Sequence, residues 1–163
     1  MAGRSSRVEL TRAQRMRRVG LGLRRIVYWS DHASAFAAKK LRLHPTDLAC
    51  IGYLYDSDEA LSPKQIISHL GLSSGSGTAL LDRLESSGFI SRVPHPTDRR
   101  SVLIELNREK AAEPIAFYRY MRQSYGAVMD KFSDAELDRI AEFLEEVSEV
   151  QVNAQIEGLA PQD

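Results

Sequence analysis

Residues 61–106 read LSPKQIISHLGLSSGSGTALLDRLESSGFISRVPHPTDRRSVLIEL. Ser62 is followed by Pro63 and, three residues on, by Gln65, a capping box with proline at the first helical position, so a helix starts there. Gly71 stops it. Ser73 or Ser74 caps a second helix whose Leu80, Leu81 and Leu84 recur at helical spacing, and Gly88 supplies its left-handed end. Two helices joined by the Gly71-Leu72-Ser73 turn make a helix-turn-helix. Strand chemistry follows: residues 89–93, a turn cluster around Pro94, His95, Pro96 and Asp98, then Val102, Ile104 and Leu106 alternating along a second strand. The tip of this hairpin, residues 95–100, sets Arg99 and Arg100 on a polar loop with no core to join, which suits a phosphate backbone or a minor groove.

This block resembles the MarR (multiple antibiotic resistance type) family of winged-helix transcription regulators. The resemblance rests on Leu70-Gly71-Leu72-Ser73, Thr78, the run from Leu81 through Asp82, Arg83 and Leu84 to Glu85, Gly88-Phe89-Ile90, the wing Asp98-Arg99-Arg100, and Val102 with Leu106. It implies a mainly α fold with a small β-hairpin wing: a winged helix-turn-helix lobe plus N- and C-terminal dimerisation helices. It further implies that Asp98 orients the wing through ionic contacts, that Arg100 enters the minor groove, and that the helix over 74–87 reads the major groove of double-stranded DNA. The expected recognition-helix set is Ser74, Gly75, Ser76, Thr78, Ala79 and Arg83. The expected wing and backbone set is Ser62, Lys64, Arg92, His95, Asp98, Arg99 and Arg100. Arg83 has a second reading, as the ion-pair partner of Asp82 or Glu85.

Two residues depart from the family pattern where specificity is made. Gly77 stands where an apolar side chain such as valine is usual, and Ala79 where many members carry a longer polar or basic one. With Gly75, these glycines remove about 1 kcal/mol of helix propensity each relative to alanine, which predicts a loose helix start until DNA orders it. Small residues also let the backbone approach the groove, leaving Ser74, Ser76 and Thr78 as short adaptable donors.

The 163 residues fit a DNA-binding lobe with a helical appendage, expected as a basic tail and dimerisation helix over 1–42, the winged lobe over 43–106 and dimerisation helices over 107–163. Net charge is zero but unevenly spread: residues 1–42 hold 11 of the 22 Lys and Arg against two acids, and residues 107–163 hold 12 of the 22 acids. The lobe itself keeps five bases against eight acids, so a dimer is needed to double its few phosphate contacts. The single cysteine, Cys50, excludes an intrachain disulfide framework and fits a reducing cytoplasm. No apolar run approaches the roughly 18 residues of a membrane span. The arginine-rich start also has the composition of a transit peptide, but apolar periodicity runs on without a cleavage-like break.

Elsewhere, residues 1–10 predict a basic tail, and Thr11 caps a helix whose stripe runs Val19, Leu23, Ile26, Val27, Ser30, Ala33, Ala37, with a bend or break at Gly20 and Gly22. His44-Pro45-Thr46-Asp47 opens a helix with Leu48, Ile51, Leu54 and Tyr55 on its buried side. Asn107 caps a poor start, since Pro114 either kinks the next helix or separates residues 107–113 as a turn. Phe117, Tyr118, Met121, Tyr125, Val128 and Met129 then form a core stripe. Ser133 with Glu136 caps a last helix, apolar along Leu137, Ile140, Phe143, Leu144, Val147 and Val150 and acidic opposite. One winged lobe has no surface to cover all three stripes, so a partner copy is expected to interdigitate its terminal helices with them.

Enzymatic chemistry finds no support. The four histidines are scattered, the lone cysteine has no partner for a metal, and the glycines punctuate helices without the lysine of a phosphate-cradling loop. No cofactor is expected. The family resemblance implies a small aromatic or phenolic effector between lobe and dimer helices, for which Tyr28, Trp29, His32, Tyr53 and Tyr55 are the candidates; core or interface is their other reading. Two alternatives remain at this stage, a winged module that docks proteins without reading DNA and an oxidant sensor working through Cys50.

Overall fold

The computed structural model describes residues 10–57, 59–98 and 100–158, with side chains described through residue 150. Arg99 and the basic tail over 1–9 lie outside the described residues. The elements run α1 (Arg12–Leu41), α2 (Pro45–Asp56), α3 (Pro63–His69), α4 (Ser74–Ser86), β1 (Ile90–Pro94), β2 (Val102–Leu106), α5 (Ala112–Met129) and α6 (Asp134–Gly158). They form two compact units, Met1–Phe117 and Tyr118–Asp163.

Local chemistry explains the boundaries. Thr11, Ser62 and Ser73 accept the first-turn N–H of α1, α3 and α4, and Gln14 and Gln65 return the bond to their cap. At the start of α6 Glu136 Oε2 accepts from both Ser133 N, at 2.9 Å, and Ser133 Oγ, at 2.8 Å. His44 caps α2, its Nδ1 accepting from Thr46 N, while Asp47 accepts from His44 N at 3.3 Å. Gly71 and Gly88 both have positive φ, 62° and 76°. At Gly88 the chain reverses so that Phe89 N reaches Leu84 O at 2.9 Å, satisfying a terminal carbonyl that a Cβ would strain.

Three expectations are corrected and one open alternative is decided. α1 is one helix of 30 residues that runs through Gly20 and Gly22 without a break, held by its capping box and a left-handed end at Arg42, φ 57°. Of the two readings of the segment from Asn107, the separate turn is the one observed, with Lys110 N on Asn107 Oδ1 at 3.1 Å; α5 starts at Ala112, so Pro114 falls in the first turn, where no intrahelical acceptor awaits its missing N–H. β1 begins one residue later than expected and includes Pro94, which pairs with Val102 at the tip end of the hairpin, next to the loop. The alternation on β2 is also weaker than its sequence, because Val102 stands out near the tip while Ile104 is buried and Leu106 half-buried.

The core of the first unit joins Cys50, Ile51 and Leu54 of α2, Leu61, Ile66 of α3, Leu80, Leu81 and Leu84 of α4, Ile90, Ile104, Ala111 and Ile115. Leu61 extends the hairpin as a third short rung, exchanging N–H···O bonds with Ile104 at 2.7 and 3.3 Å. This fastens the wing to the segment preceding α3. The α1 stripe is different: along the whole helix only Ala37 and Ala38 are buried by the chain itself.

Candidate nucleic-acid interface

The recognition helix α4 turns Gly77, Leu80, Leu81 and Leu84 inward, leaving Ser74, Gly75, Ser76, Thr78, Ala79, Asp82, Arg83 and Ser86 exposed. Of the expected reading residues, Ser74, Gly75, Ser76, Thr78 and Ala79 thus share one solvent-facing surface. Their hydroxyls are partly engaged: Ser73 Oγ donates to Ser76 Oγ at 3.0 Å, and Thr78 Oγ1 donates to Ser74 O at 2.9 Å. The helix is formed from Ser74 onward despite Gly75 and Gly77. Gly77 explains itself by a close approach, since a Cβ there would lie 2.6 Å from Ile67 Cδ1 and nearer still to Cγ1. Valine at this position would force Ile67 or α4 itself to shift.

Arg83 takes neither of the partners expected from sequence. Its Nε donates to both oxygens of Asp47, at 3.1 and 3.2 Å, and its Nη2 to Oδ1 at 2.5 Å. Asp47 is 5% exposed. The bidentate bond holds the Arg83 guanidinium even further above its ordinary pKa than burial lowers it. Asp82 and Glu85, the rejected partners, both hold Arg92 of β1, Asp82 at 2.6 Å to Nη2 and Glu85 to Nη1. Arg92, expected on the DNA backbone, is held by two carboxylates as a strut between α4 and the wing.

The wing tip is built by side chains accepting backbone N–H groups. His95 Nδ1 accepts from Thr97 N at 3.3 Å and from Asp98 N at 3.2 Å. Asp98 in turn accepts from Arg100 N at 2.9 Å and from Ser101 Oγ at 2.6 Å. The Ser101 hydroxyl first, then the Arg100 N–H, hold the Asp98 carboxyl below its usual range. Among the described residues, then, the aspartate shapes the tip through these two hydrogen bonds. Arg100 is exposed, and its guanidinium joins no ion pair among the described residues. Lys64 is exposed in the first turn of α3; Ser62 spends its hydroxyl on Gln65 Oε1 at 2.7 Å.

The five aromatic candidates do not converge. Tyr28, Trp29 and His32 cluster on an exposed part of α1, with Tyr28 and His32 rings 4.1 Å apart and Trp29 edge-on to Tyr28 at 5.3 Å. Tyr53 stacks on His69 at 3.6 Å, and Tyr55 lies under the Arg108 guanidinium at 5.6 Å. Two clefts in the first unit, one beside Leu54, Ile104 and Arg108 and one beside Leu43, Phe89 and Lys110, are lined by none of the five. Sequence reading misses Asp47 as a site residue altogether; its only signal is a carboxylate in a first helical turn. Cys50 is fully buried, and burial with nearby Asp47 pushes its thiol up to about 12. No group of three or more metal-ligating side chains gathers among the described residues, and none of their helices is long and apolar enough to cross a membrane.

Comparison with known proteins bears on this geometry directly. A family profile described as MarR family matches residues 43–101, the span from α2 through the wing. The uncharacterized HTH-type transcriptional regulator YcgE of Bacillus subtilis is 32% identical over 152 residues, covering 92% of this chain and 94% of that protein. The HTH-type transcriptional repressor YetL of the same organism is 34% identical over 97 residues, 59% of this chain and 58% of that one. Among solved structures, S. aureus MepR in DNA-binding conformation superposes with a TM-score of 0.64 at 19% identity, over 81% of this chain and 98% of that one.

Proposed function

The chain belongs to the MarR family and is a DNA-binding transcription regulator, and from that premise we propose that it acts in the cytoplasm as a homodimeric repressor of a pseudo-palindromic operator. The observation that carries the dimer is apolar surface. Ile26 is 60% exposed, Phe36 70% and Tyr120 67%, with Val128, Phe143 and Leu144 also uncovered on α5 and α6. A soluble monomer rarely leaves so much large hydrophobic surface in contact with water. A second copy supplies the cover and, with it, a second recognition helix. Two such helices about 34 to 36 Å apart enter successive major grooves, which requires a two-fold operator.

In this reading Ser74, Gly75, Ser76, Thr78 and Ala79 meet the base edges, while Lys64, Arg100 and its sequence neighbour Arg99 neutralise phosphate or groove charge. Ser62, His95 and Asp98 act one step back, holding the first turn of α3 and the wing tip in shape. Repression follows from occupancy of the operator and accords with the repressor named among the relatives. Sedimentation of the purified chain with duplex DNA tests the proposal. Two protomers per duplex are expected, and Arg100→Ala should weaken binding across sequences, with a salt slope smaller by about 1 for each phosphate no longer neutralised. A monomer in solution, or an unchanged binding curve for Arg100→Ala, overturns it.

A small aromatic effector belongs to the same proposal at Tyr28, Trp29 and His32, three rings packed within reach of one planar ligand. Such a ligand releases DNA only by binding one spacing of the reading heads better than another. Trp29 is the chain's one tryptophan, so quenching of its fluorescence by a phenolic acid, lost in Tyr28→Ala, is the direct assay. Oxidant sensing through Cys50 has the chemistry against it, because a buried thiol of pKa about 12 presents almost no thiolate at neutral pH.

A further inference from the structure

The operator-binding reading leaves open what the recognition helix recognises, and its outward surface has a definite chemistry. Directly opposite the buried Gly77, Leu80, Leu81 and Leu84 lie Gly75, Ala79, Asp82 and Ser86, flanked by Thr78, Ser76 and Arg83. The two charged members of that surface are already engaged. Arg83 is folded down on Asp47 by three N–H···O bonds, and Asp82 is ion-paired to Arg92, which it shares with Glu85. What remains is a row of hydrogens, methyls and hydroxyls.

That row lacks every side chain able to form a bidentate pair with guanine or adenine, the interactions that discriminate bases most strongly. Serine hydroxyls accept or donate to either kind of edge and select little. The Thr78 hydroxyl spends its one donor on Ser74 O, leaving a methyl and acceptor lone pairs. Methyl surface has one complement in the major groove, the C5 methyl of thymine. We propose that the recognition helix reads thymine methyl groups through Thr78 and Ala79, with Arg83 held on Asp47 as a positioning residue instead of a base reader. Gly75, on the same outward face, serves that end by bringing the backbone near enough for these short side chains to touch.

The proposal rests on the operator-binding reading, and the experiment separates the two. The full-length chain is used to select bound fragments from random duplex DNA, and the best duplex is resynthesised with uracil for each thymine in turn. Uracil removes the C5 methyl while leaving base pairing and the minor-groove acceptors met by the wing unchanged. Selected half-sites should carry thymines facing α4, and each uracil there should weaken binding about four-fold, the worth of one buried methyl group. Ala79→Gly should lower affinity for the thymine duplex and make at least one of those uracil substitutions silent. Arg83→Lys should leave the thymine dependence in place.

Half-sites with guanine at the α4 positions, or uracil substitutions without effect, would overturn methyl reading while leaving a sequence-specific regulator. Enrichment of no sequence at all would remove the operator itself and this inference with it.

Discussion

Arg83 of the recognition helix grips Asp47 of α2 across 36 positions of sequence, its side chain 47% exposed and the carboxylate 7%. The same carboxylate accepts from His44 N, so one buried charge joins the start of α2 to the middle of α4. The pair is asymmetric, and its two halves should not cost the same. Arg83→Ala leaves a buried carboxylate without its cation and should destabilise by about 2 kcal/mol, below the 3 to 5 of a fully buried pair because water reaches Arg83. Asp47→Asn in the Arg83→Ala background should recover part of that loss, since the uncompensated charge has gone. Urea unfolding at one protomer concentration checks both. An Arg83→Ala midpoint matching that of the unsubstituted chain would show the clamp to be idle.

Gly77 and Gly75 are two residues apart on α4 and should respond oppositely to alanine. At Gly77 a Cβ meets Ile67, and overpacking of 1 to 3 kcal/mol outweighs the roughly 1 kcal/mol gained in helix propensity. Net destabilisation of about 1 kcal/mol is expected, relieved by Ile67→Ala in the same chain. At Gly75 nothing lies within 4 Å, so alanine should stabilise by up to about 1 kcal/mol. Thermal melts of the three variants decide it, and Gly77→Ala as stable as Gly75→Ala would mean that α4 shifts freely on α3.

This contrast shows what can be read ahead of the structure. Ser62 with Gln65, Ser73, Gly88 and Ser133 with Glu136 act within a few residues of themselves, and their helices begin and end where those local patterns place them. Long-range partners leave no such trace. Asp47 and Arg83 carry no mutual signal in sequence, and local charge spacing instead suggests Asp82 and Glu85, which Arg92 takes from the facing strand. Gly77 reads as a departure from its family because its reason, the Ile67 side chain, sits on another helix. The aromatic candidates share a chemical type, yet Tyr53 and Tyr55 go to His69 and Arg108.

Asp98 sets a pH limit on the wing. Its folded-state carboxyl lies below the ordinary value of 3.8 through bonds from Ser101 Oγ and Arg100 N–H, so the ionised form is the one these bonds favour. Their contribution is complete above the ordinary value and is lost as pH falls through the lower folded one. In a carbon-detected titration the Asp98 carboxyl should therefore change after the bulk of exposed aspartates, and Ser101→Ala should move it upward. Asp98→Asn keeps one acceptor and should loosen the tip without unfolding the lobe. A titration of Asp98 above 3.8 would contradict the hydrogen-bonded turn.

The last test concerns the cover over α1. Ile26 is exposed in the single chain and contributes nothing to its buried core, so Ile26→Asp should leave the helical content and the fold of the protomer intact. In a dimer closed over the Val19, Leu23, Ile26 stripe the same change places an unpaired carboxylate against apolar surface. A penalty of about 3 kcal/mol raises the dissociation constant roughly 100-fold. Operator binding should fall with it, because each lobe alone offers few basic contacts, while Ile26→Val should behave as the unsubstituted chain. Sedimentation equilibrium measures the first effect and duplex titration the second. Unchanged self-association in Ile26→Asp would place the dimer contact elsewhere, and unchanged DNA affinity in a chain made monomeric would mean that a single lobe suffices.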